Sequence, residues 1–394
     1  MSPPPAPLLP NCPAFADLGA DALAHSRRLV ELICAEIARA RGWIGFDRFM
    51  QLALYAPGLG YYSGGAAKLG AAGDFVTAPE LSPLYSRVLA RQVSEILSLS
   101  AGDVLELGAG SGRMAEEVLR ALDEAGALPD RYLILEVSAE LAERQRQRLR
   151  NLPDRLASRV TWIDRLPNAF RGAVVCNEVL DALPVHLMSW GENGVRERGV
   201  AWSGDAFVWD ERTASDRELL GEARRLNPPP PYLSELARAG PALVAAISGI
   251  LECGVLLVID YGFGEREYYH PQRSRGTLMC HFRHRAHDDP FFLPGLQDIT
   301  SHVDFTAVTR TGTGAGLELL GYTTQAHFLV NLGVTELMAL TPAEHAGAYL
   351  PLAAQAQKLL SPAEMGELFK VIALGRGIDR ALHGFRSGDM GRLL

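Results

Sequence analysis

Cysteine is sparse in this sequence. Five residues, Cys12, Cys34, Cys176, Cys253 and Cys280, are scattered over 394 positions and never form CxxC. An odd, dispersed set excludes a disulfide framework and a cysteine-based zinc site, and fits free thiols in a reducing compartment. No uncharged apolar run is long enough to cross a bilayer, so membrane insertion is not expected. Positive charge is not in excess: the net charge is −8. That counts against a non-specific nucleic-acid binder. The opening "MSPPPAPLLPNCPAF" lacks the shape of a signal peptide and the arginine-rich pattern of a transit peptide. It reads as a leader on a cytoplasmic protein, or a mitochondrial-matrix one if the source is eukaryotic. No internal repeat is visible.

What remains is ordinary globular composition, 48% apolar and 21% charged. The length allows one large domain with insertions, or two domains. "LAHSRRLVELICAEIARARG" and "FDRFMQLALYAPG" carry helical spacing, and a glycine-dense stretch follows them. After the helix "LYSRVLARQVSEILSL", strands alternate with helices. "DVLELG", "YLILEV", "VTWID", "AVVCNE" and "GVLLVIDYG" are strands; "RMAEEVLRALDEAG" and "AELAERQRQRLRN" are helices. "YTTQAHFLVN" and "LFKVIAL" are further strand candidates flanking a helical stretch at 334–360. The alternation predicts a Rossmann-like α/β fold, with a doubly wound, mostly parallel sheet and an antiparallel end. We expect an N-terminal segment over 1–95 and a core over 96–394. Insertions are expected at about 203–250 and 262–312, the latter a long polar loop.

The stretch "VLELGAGSGRM" decides between ligands. No Gly-Lys-Ser/Thr follows, so it is not a nucleoside-triphosphate P-loop. Arg113 stands where the dinucleotide fingerprint needs a third small residue. What fits is Glu106, Gly108, Gly110 and Gly112 in E-x-G-x-G-x-G spacing, suited to S-adenosylmethionine, which lacks a pyrophosphate. Its carboxylate suits the free N–H groups of the following helix. Glu136, ending the next strand, is placed to bind the ribose hydroxyls. Asp164, ending the third, is placed to meet the adenine amino group. An NAD-dependent oxidoreductase is the competing reading.

The chemistry candidate is "CNEVLDALPVH", with Asn177, Glu178, Asp181 and His186 just past a buried strand. Two acids three residues apart can face one cavity. Methyl transfer from a sulfonium is an in-line displacement that needs a closely held nucleophile. For an arginine acceptor, two carboxylates would grip the guanidinium fork and take its proton late. Alternatively Glu178 and Asp181 cap the next helix. His281, His284, His287 and Asp288 do not match a zinc spacing, and no metal is expected there. Asp298, His302 and Asp304 can add polar groups to the same pocket. The basic helix "ERQRQRLRN" reads as a solvated face.

Several stretches together resemble the MidA-like family, which includes a mitochondrial complex I assembly-factor arginine methyltransferase. They are "FMQLALYAPGLGYY", "GAAGDFVTAPELS", "LELGAGSG", "LILEVSAELAERQ", "CNEVLDALPVH", "VIDYGF", "RGTLMCHFRHRAHDDPFFLPGLQDITSHVDF", "TTQAHFLVNLG" and "MGELFKVIALGRG". "GDFVTAPE" and "NEVLDALPVH" are the most specific. The resemblance implies an S-adenosylmethionine-dependent methyltransferase in which residues 70–82 close over cofactor or substrate. In the mitochondrial member the substrate is an arginine of a quinone-site subunit of complex I. Carried over by residue, Gly73, Asp74 and Thr77 join the cofactor set. Pro79 and Glu80 join the substrate side with His186 and His302. Glu178, Asp181 and Asn177 form the catalytic set, and Asp74 and Glu80 extend its acidic pocket. The absence of an evident transit peptide suggests a bacterial-type member. The implied partner is a protein substrate carrying the arginine, with a homodimer possible. A binding module that holds S-adenosylmethionine as a structural ligand and chaperones assembly stays open beside the enzyme reading.

Overall fold

The computed structural model describes residues 18–64 and 77–394. Its centre is a sheet whose seven main strands are β1 (Asp103–Leu107), β2 (Tyr132–Leu135), β3 (Val160–Ile163), β4 (Phe170–Asn177), β5 (Leu251–Phe263), β6 (Glu318–Thr324) and β7 (Phe369–Arg376). They lie in the order β3-β2-β1-β4-β5-β7-β6. The first five run parallel, whereas β7 is antiparallel to both its neighbours. The expected antiparallel end is therefore present. Strands such as β4 and β5 read as continuous apolar runs because both sheet faces are covered. Their central valines, leucines and isoleucines are all but inaccessible.

The chain winds outward from β1 to β3 and then returns to place β4 on the other side of β1. The resulting switch point opens a crevice at the strands' carboxyl ends, the usual ligand position in such sheets. Helices α3 (Pro83–Ser100), α4 (Arg113–Glu124) and α5 (Ala139–Leu149) follow the same logic. Ser82 caps α3, its hydroxyl accepting from Leu84 N at 3.2 Å. The apolar face of α3 belongs to the sheet's own core, so this helix crosses the expected boundary at residue 95.

A second body packs beside the crevice. Five short strands, Ile44–Gly45, Val185–Gly191, Gly194–Ser203, Ala206–Arg212 and Tyr232–Ala237, form an antiparallel sheet. The helices α1 (Ala20–Arg39) and α2 (Phe46–Tyr55) share one apolar core with it, from Leu29 and Phe49 to Leu187 and Ile299. The insertion thus begins earlier than the expected 203, near residue 185. The N-terminal segment and both insertions build one structure.

Three expectations need correction. The stretch 262–312 is not an element-poor loop. It holds a three-stranded sheet (Met279–Phe282, Arg285–His287, Asp298–Thr300) and the helix Phe305–Gly314. Asp304 caps that helix through Thr306 N and Ala307 N. "YTTQAHFLVN" is strand only to Thr324, whose hydroxyl accepts from His327 N and starts the helix Gln325–Asn331. The helix α5 is not simply a solvated face, since Gln145 within it is fully buried. Among the described residues no helix is long and apolar enough to cross a membrane.

Candidate active site

The crevice holds a cavity of about 610 Å³. Its floor is the loop after β1. Gly108, Gly110 and Gly112 all take positive φ (64°, 54° and 81°), so the chain reverses within a few residues and starts α4 at Arg113. A Cβ on Gly108 would lie 3.2 Å from Val179 Cγ2, and one on Gly112 3.3 Å from Gln145 Cγ. Glu106 is fully buried at the strand end. Tyr132 donates its hydroxyl to one Glu106 oxygen, while the other, Oε1, is buried without a partner among the described residues. Burial, tempered by the Tyr132 bond and reinforced by Glu136, pushes this carboxyl up to about 7.

Glu136 follows β2 and lines the cavity. One oxygen accepts from Ser138 N at 2.8 Å, the other from Gln145 Nε2 at 2.9 Å. Burial raises its carboxyl despite these bonds. Val137 beside it is 75% exposed and also lines the cavity, adding an apolar surface to its wall. Thr77, Pro79 and Glu80 form part of the wall. Glu80 accepts from the Ser111 hydroxyl in the glycine loop, so it braces the loop. Gly73 and Asp74 lie outside the described residues.

The far wall is the turn after β4. Asn177, Glu178, Val179, Ala182, Leu183 and Pro184 line the cavity. No helix follows β4, so neither Glu178 nor Asp181 is a cap. Glu178 instead sits at φ 52°, a conformation a glutamate adopts only when its surroundings enforce it. Its N–H donates to Ile259 O at 2.9 Å. Its Oε1 accepts from Asn177 Nδ2 at 3.1 Å and Ala78 N at 3.3 Å. Tyr85 donates to Asn177 Oδ1, fixing that amide.

Asp181 is 3% exposed and does not itself line the cavity, and its Oδ1 is buried with no partner among the described residues. Asp260, fully buried at the end of β5, shapes the turn. Its Oδ2 accepts from Leu180 N at 3.0 Å and Asp181 N at 3.3 Å, and its Oδ1 from Tyr261 N at 3.0 Å. Burial first pushes Glu178 and Asp181 each up to about 7 and Asp260 well above the usual carboxylate range; the Asp298 charge adds to Glu178, the Glu178 charge to Asp181, and both Asp181 and Glu178 to Asp260. Tyrosines complete the surroundings. Tyr55 donates to Ala182 O at 3.0 Å and Tyr62 to Asp298 Oδ1 at 2.9 Å. The Tyr55 and Tyr62 rings stack 5.5 Å apart on the cavity wall.

The structure does not bring every expected residue here. Asp164 is exposed past β3 and does not line the cavity. His186 points into the small sheet, 2.9 Å from Glu197 and 3.5 Å from Asp47, because strand alternation turns it away from the turn before it. His302 is half-buried against the Tyr261 and Phe263 rings, its Nδ1 without a partner among the described residues. Burial, Arg273 and Lys370 lower it to about 4, and it too is absent from the cavity wall. Sequence reasoning missed Tyr132, Gln145, Tyr85, Asp260 and Tyr261. For Asp260 a signal existed: "VIDYGF" is an acid at a strand end, like Glu106 and Glu136.

A family model for S-adenosyl-L-methionine-dependent methyltransferase matches residues 88–323. The zebrafish (Danio rerio) protein arginine methyltransferase NDUFAF7, mitochondrial, is 29% identical over 370 residues, covering 85% of this chain and 84% of the relative. The human (Homo sapiens) protein of the same name is 26% identical over 381 residues, covering 85% and 81%. A Burkholderia thailandensis protein crystallised with bound S-adenosyl-homocysteine is 50% identical. It superposes with a TM-score of 0.93, covering 96% of this chain and 99% of that one. A native crystal structure from the same organism gives 49% and 0.91, with the same coverage.

Proposed function

Since the chain belongs to the MidA-like family of S-adenosylmethionine-dependent methyltransferases, we propose that it methylates an arginine of a protein substrate, with Glu178 and Asp181 as the residues that hold the acceptor. The cofactor is S-adenosylmethionine. The cavity suits it: bare glycine backbone, the start of a helix at Arg113, a two-oxygen acid at Glu136 and the Oε1 of Glu106, which has no partner among the described residues. Gly108, Gly110 and Gly112 shape the loop under the amino-acid end. Glu136 takes the ribose hydroxyls, and Val137 covers the adjoining ring. When bound, the cofactor supplies an electrophilic methyl group on sulfur.

The protein's part is to position the acceptor and manage its proton. The observation that carries the reading is Glu178, half-buried on the cavity wall, with the buried Asp181 three residues on and its Oδ1 without a partner among the described residues. Two acids largely withdrawn from water favour a cation that brings its own N–H donors. A guanidinium offers a planar fork of donors, matched to two carboxylates. Asn177 and Ala78 N hold Glu178 in place, and Asp260 holds the turn that carries Asp181. After transfer a carboxylate of the pair accepts the proton from the methylated nitrogen, which is acidic enough to lose it only as the new bond forms. The relatives' printed name, protein arginine methyltransferase, supports this acceptor.

The test is transfer of labelled methyl from S-adenosylmethionine into a lysate lacking this protein, followed by identification of the labelled residue. Methylarginine in one protein is the expected result. Label in another residue type, or in small molecules only, refutes the arginine acceptor.

A further inference from the structure

Gln145 lies in a helix that otherwise carries charge after charge, yet it is fully buried. Its three hydrogen bonds reach three different elements. The Nε2 group donates to Gly110 O in the glycine loop at 2.9 Å and to Glu136 Oε2 beyond β2 at 2.9 Å. Its Oε1 accepts from the indole Nε1 of Trp162 on β3, also at 2.9 Å. An indole N–H can only donate. Trp162 therefore fixes which end of the amide is oxygen, and both N–H groups must turn to the cofactor loops. The guanidinium of Arg146 lies 5.1 Å from the Trp162 ring centroid and covers it. Gly112 adds a steric clue, since a Cβ there would meet Gln145 at 3.3 Å. The loop has closed down onto this side chain.

We propose that Gln145 is the positioning residue that sets the glycine loop and Glu136 at a fixed separation, so that the nucleoside end of S-adenosylmethionine meets a site already formed. The inference rests on the reading of Glu136 as the ribose acid. Gln145 does not line the cavity, so it acts through the two groups it holds. With Ser138 N on one oxygen and Gln145 on the other, the Glu136 carboxylate cannot rotate. Each oxygen keeps a lone pair for one ribose hydroxyl. A loose carboxylate would have to be ordered at the moment of binding, which lowers affinity.

The experiment is calorimetric binding of S-adenosyl-homocysteine to the full chain and to Glu136→Gln, Gln145→Leu and the double variant. Leucine keeps the volume and removes all three bonds. Gln145→Leu should weaken binding about tenfold or more, the scale of a lost hydrogen bond to a charged group. Glu136→Gln should weaken it as well. Because Gln145 acts largely through Glu136, the double variant should be much less than additive, whereas a general packing defect would add. Wild-type affinity in Gln145→Leu, or full additivity, overturns the proposal. Unchanged affinity in Glu136→Gln overturns the ribose reading and the proposal with it. If Gln145→Leu does not fold, Trp162→Phe releases the amide without emptying the site. It should show a smaller loss, again non-additive with Glu136→Gln, and no loss overturns the proposal.

Discussion

Replacing Glu178 by glutamine should stabilise the protein while disabling it. Glu178 is half-buried on the cavity wall, and desolvation, with the Asp298 carboxylate adding to it, lifts its carboxyl from 4.5 to about 7. In the unfolded chain it titrates near its ordinary value. Between the two values the folded protein holds a proton that the unfolded chain has lost. Stability therefore falls as pH rises across that window, and the loss is complete above about 7. The displacement corresponds to about 3 kcal/mol at pH 8. Glutamine keeps the Oε1 that accepts from Ala78 N and Asn177 Nδ2, and it has no charge to bury. It also removes the repulsion that raises Asp181. Chemical denaturation should find Glu178→Gln more stable than wild type by about 3 kcal/mol at pH 8 and nearly equal at pH 4. Methyl transfer should fall by about 100-fold or more, the scale of a lost proton acceptor. A variant no more stable at pH 8 would refute the account of the buried acid. A variant with wild-type transfer would refute its catalytic role.

The same groups set the pH profile of methyl transfer. Activity should rise with pH through about 7 and then level off, since the pair must be ionised to hold a cation; a flat profile between pH 6 and 8 in initial-rate assays contradicts this. Gly112→Ala places a Cβ at φ 81° and 3.3 Å from Gln145, and should cost about 1–2 kcal/mol in denaturation along with weaker S-adenosyl-homocysteine binding. Asp164→Asn should leave calorimetric affinity for S-adenosyl-homocysteine within about twofold, because Asp164 is exposed away from the cavity. A larger loss would return it to the binding set. His186→Asn should lower the melting temperature at pH 6 more than at pH 8. Its carboxylate partners raise the imidazole's pKa, so the ion pair is present in acid and lost as pH rises.

The parts of this protein that were legible in the chain are those fixed by local chemistry. Alternating apolar runs and helices prescribe the sheet, and glycines at every second position permit the positive φ that a tight loop needs. Glu136 is readable because it ends a strand next to that loop. Asp164 ends a strand too, but its place depends on how β3 leaves the sheet, which no local pattern encodes. The site's supporting residues are illegible for a related reason. Gln145 sits among charged neighbours and looks solvated, and only the packing of α5 against the glycine loop and β3 buries it. Asp260 lies 79 residues from the Asp181 amide it accepts from, brought there by the pairing of β4 with β5. Buried acids illustrate the general point. In the linear chain Glu178 and Asp181 stand out as two acids just past a strand, but nothing there says how far water reaches either. The fold leaves Glu178 half-buried on the cavity wall and Asp181 buried, with no donor to Asp181 Oδ1 among the described residues, and burial raises both carboxyls. A reading of function from sequence identifies the residue types able to do the chemistry. The three-dimensional arrangement decides which of them are made to need it.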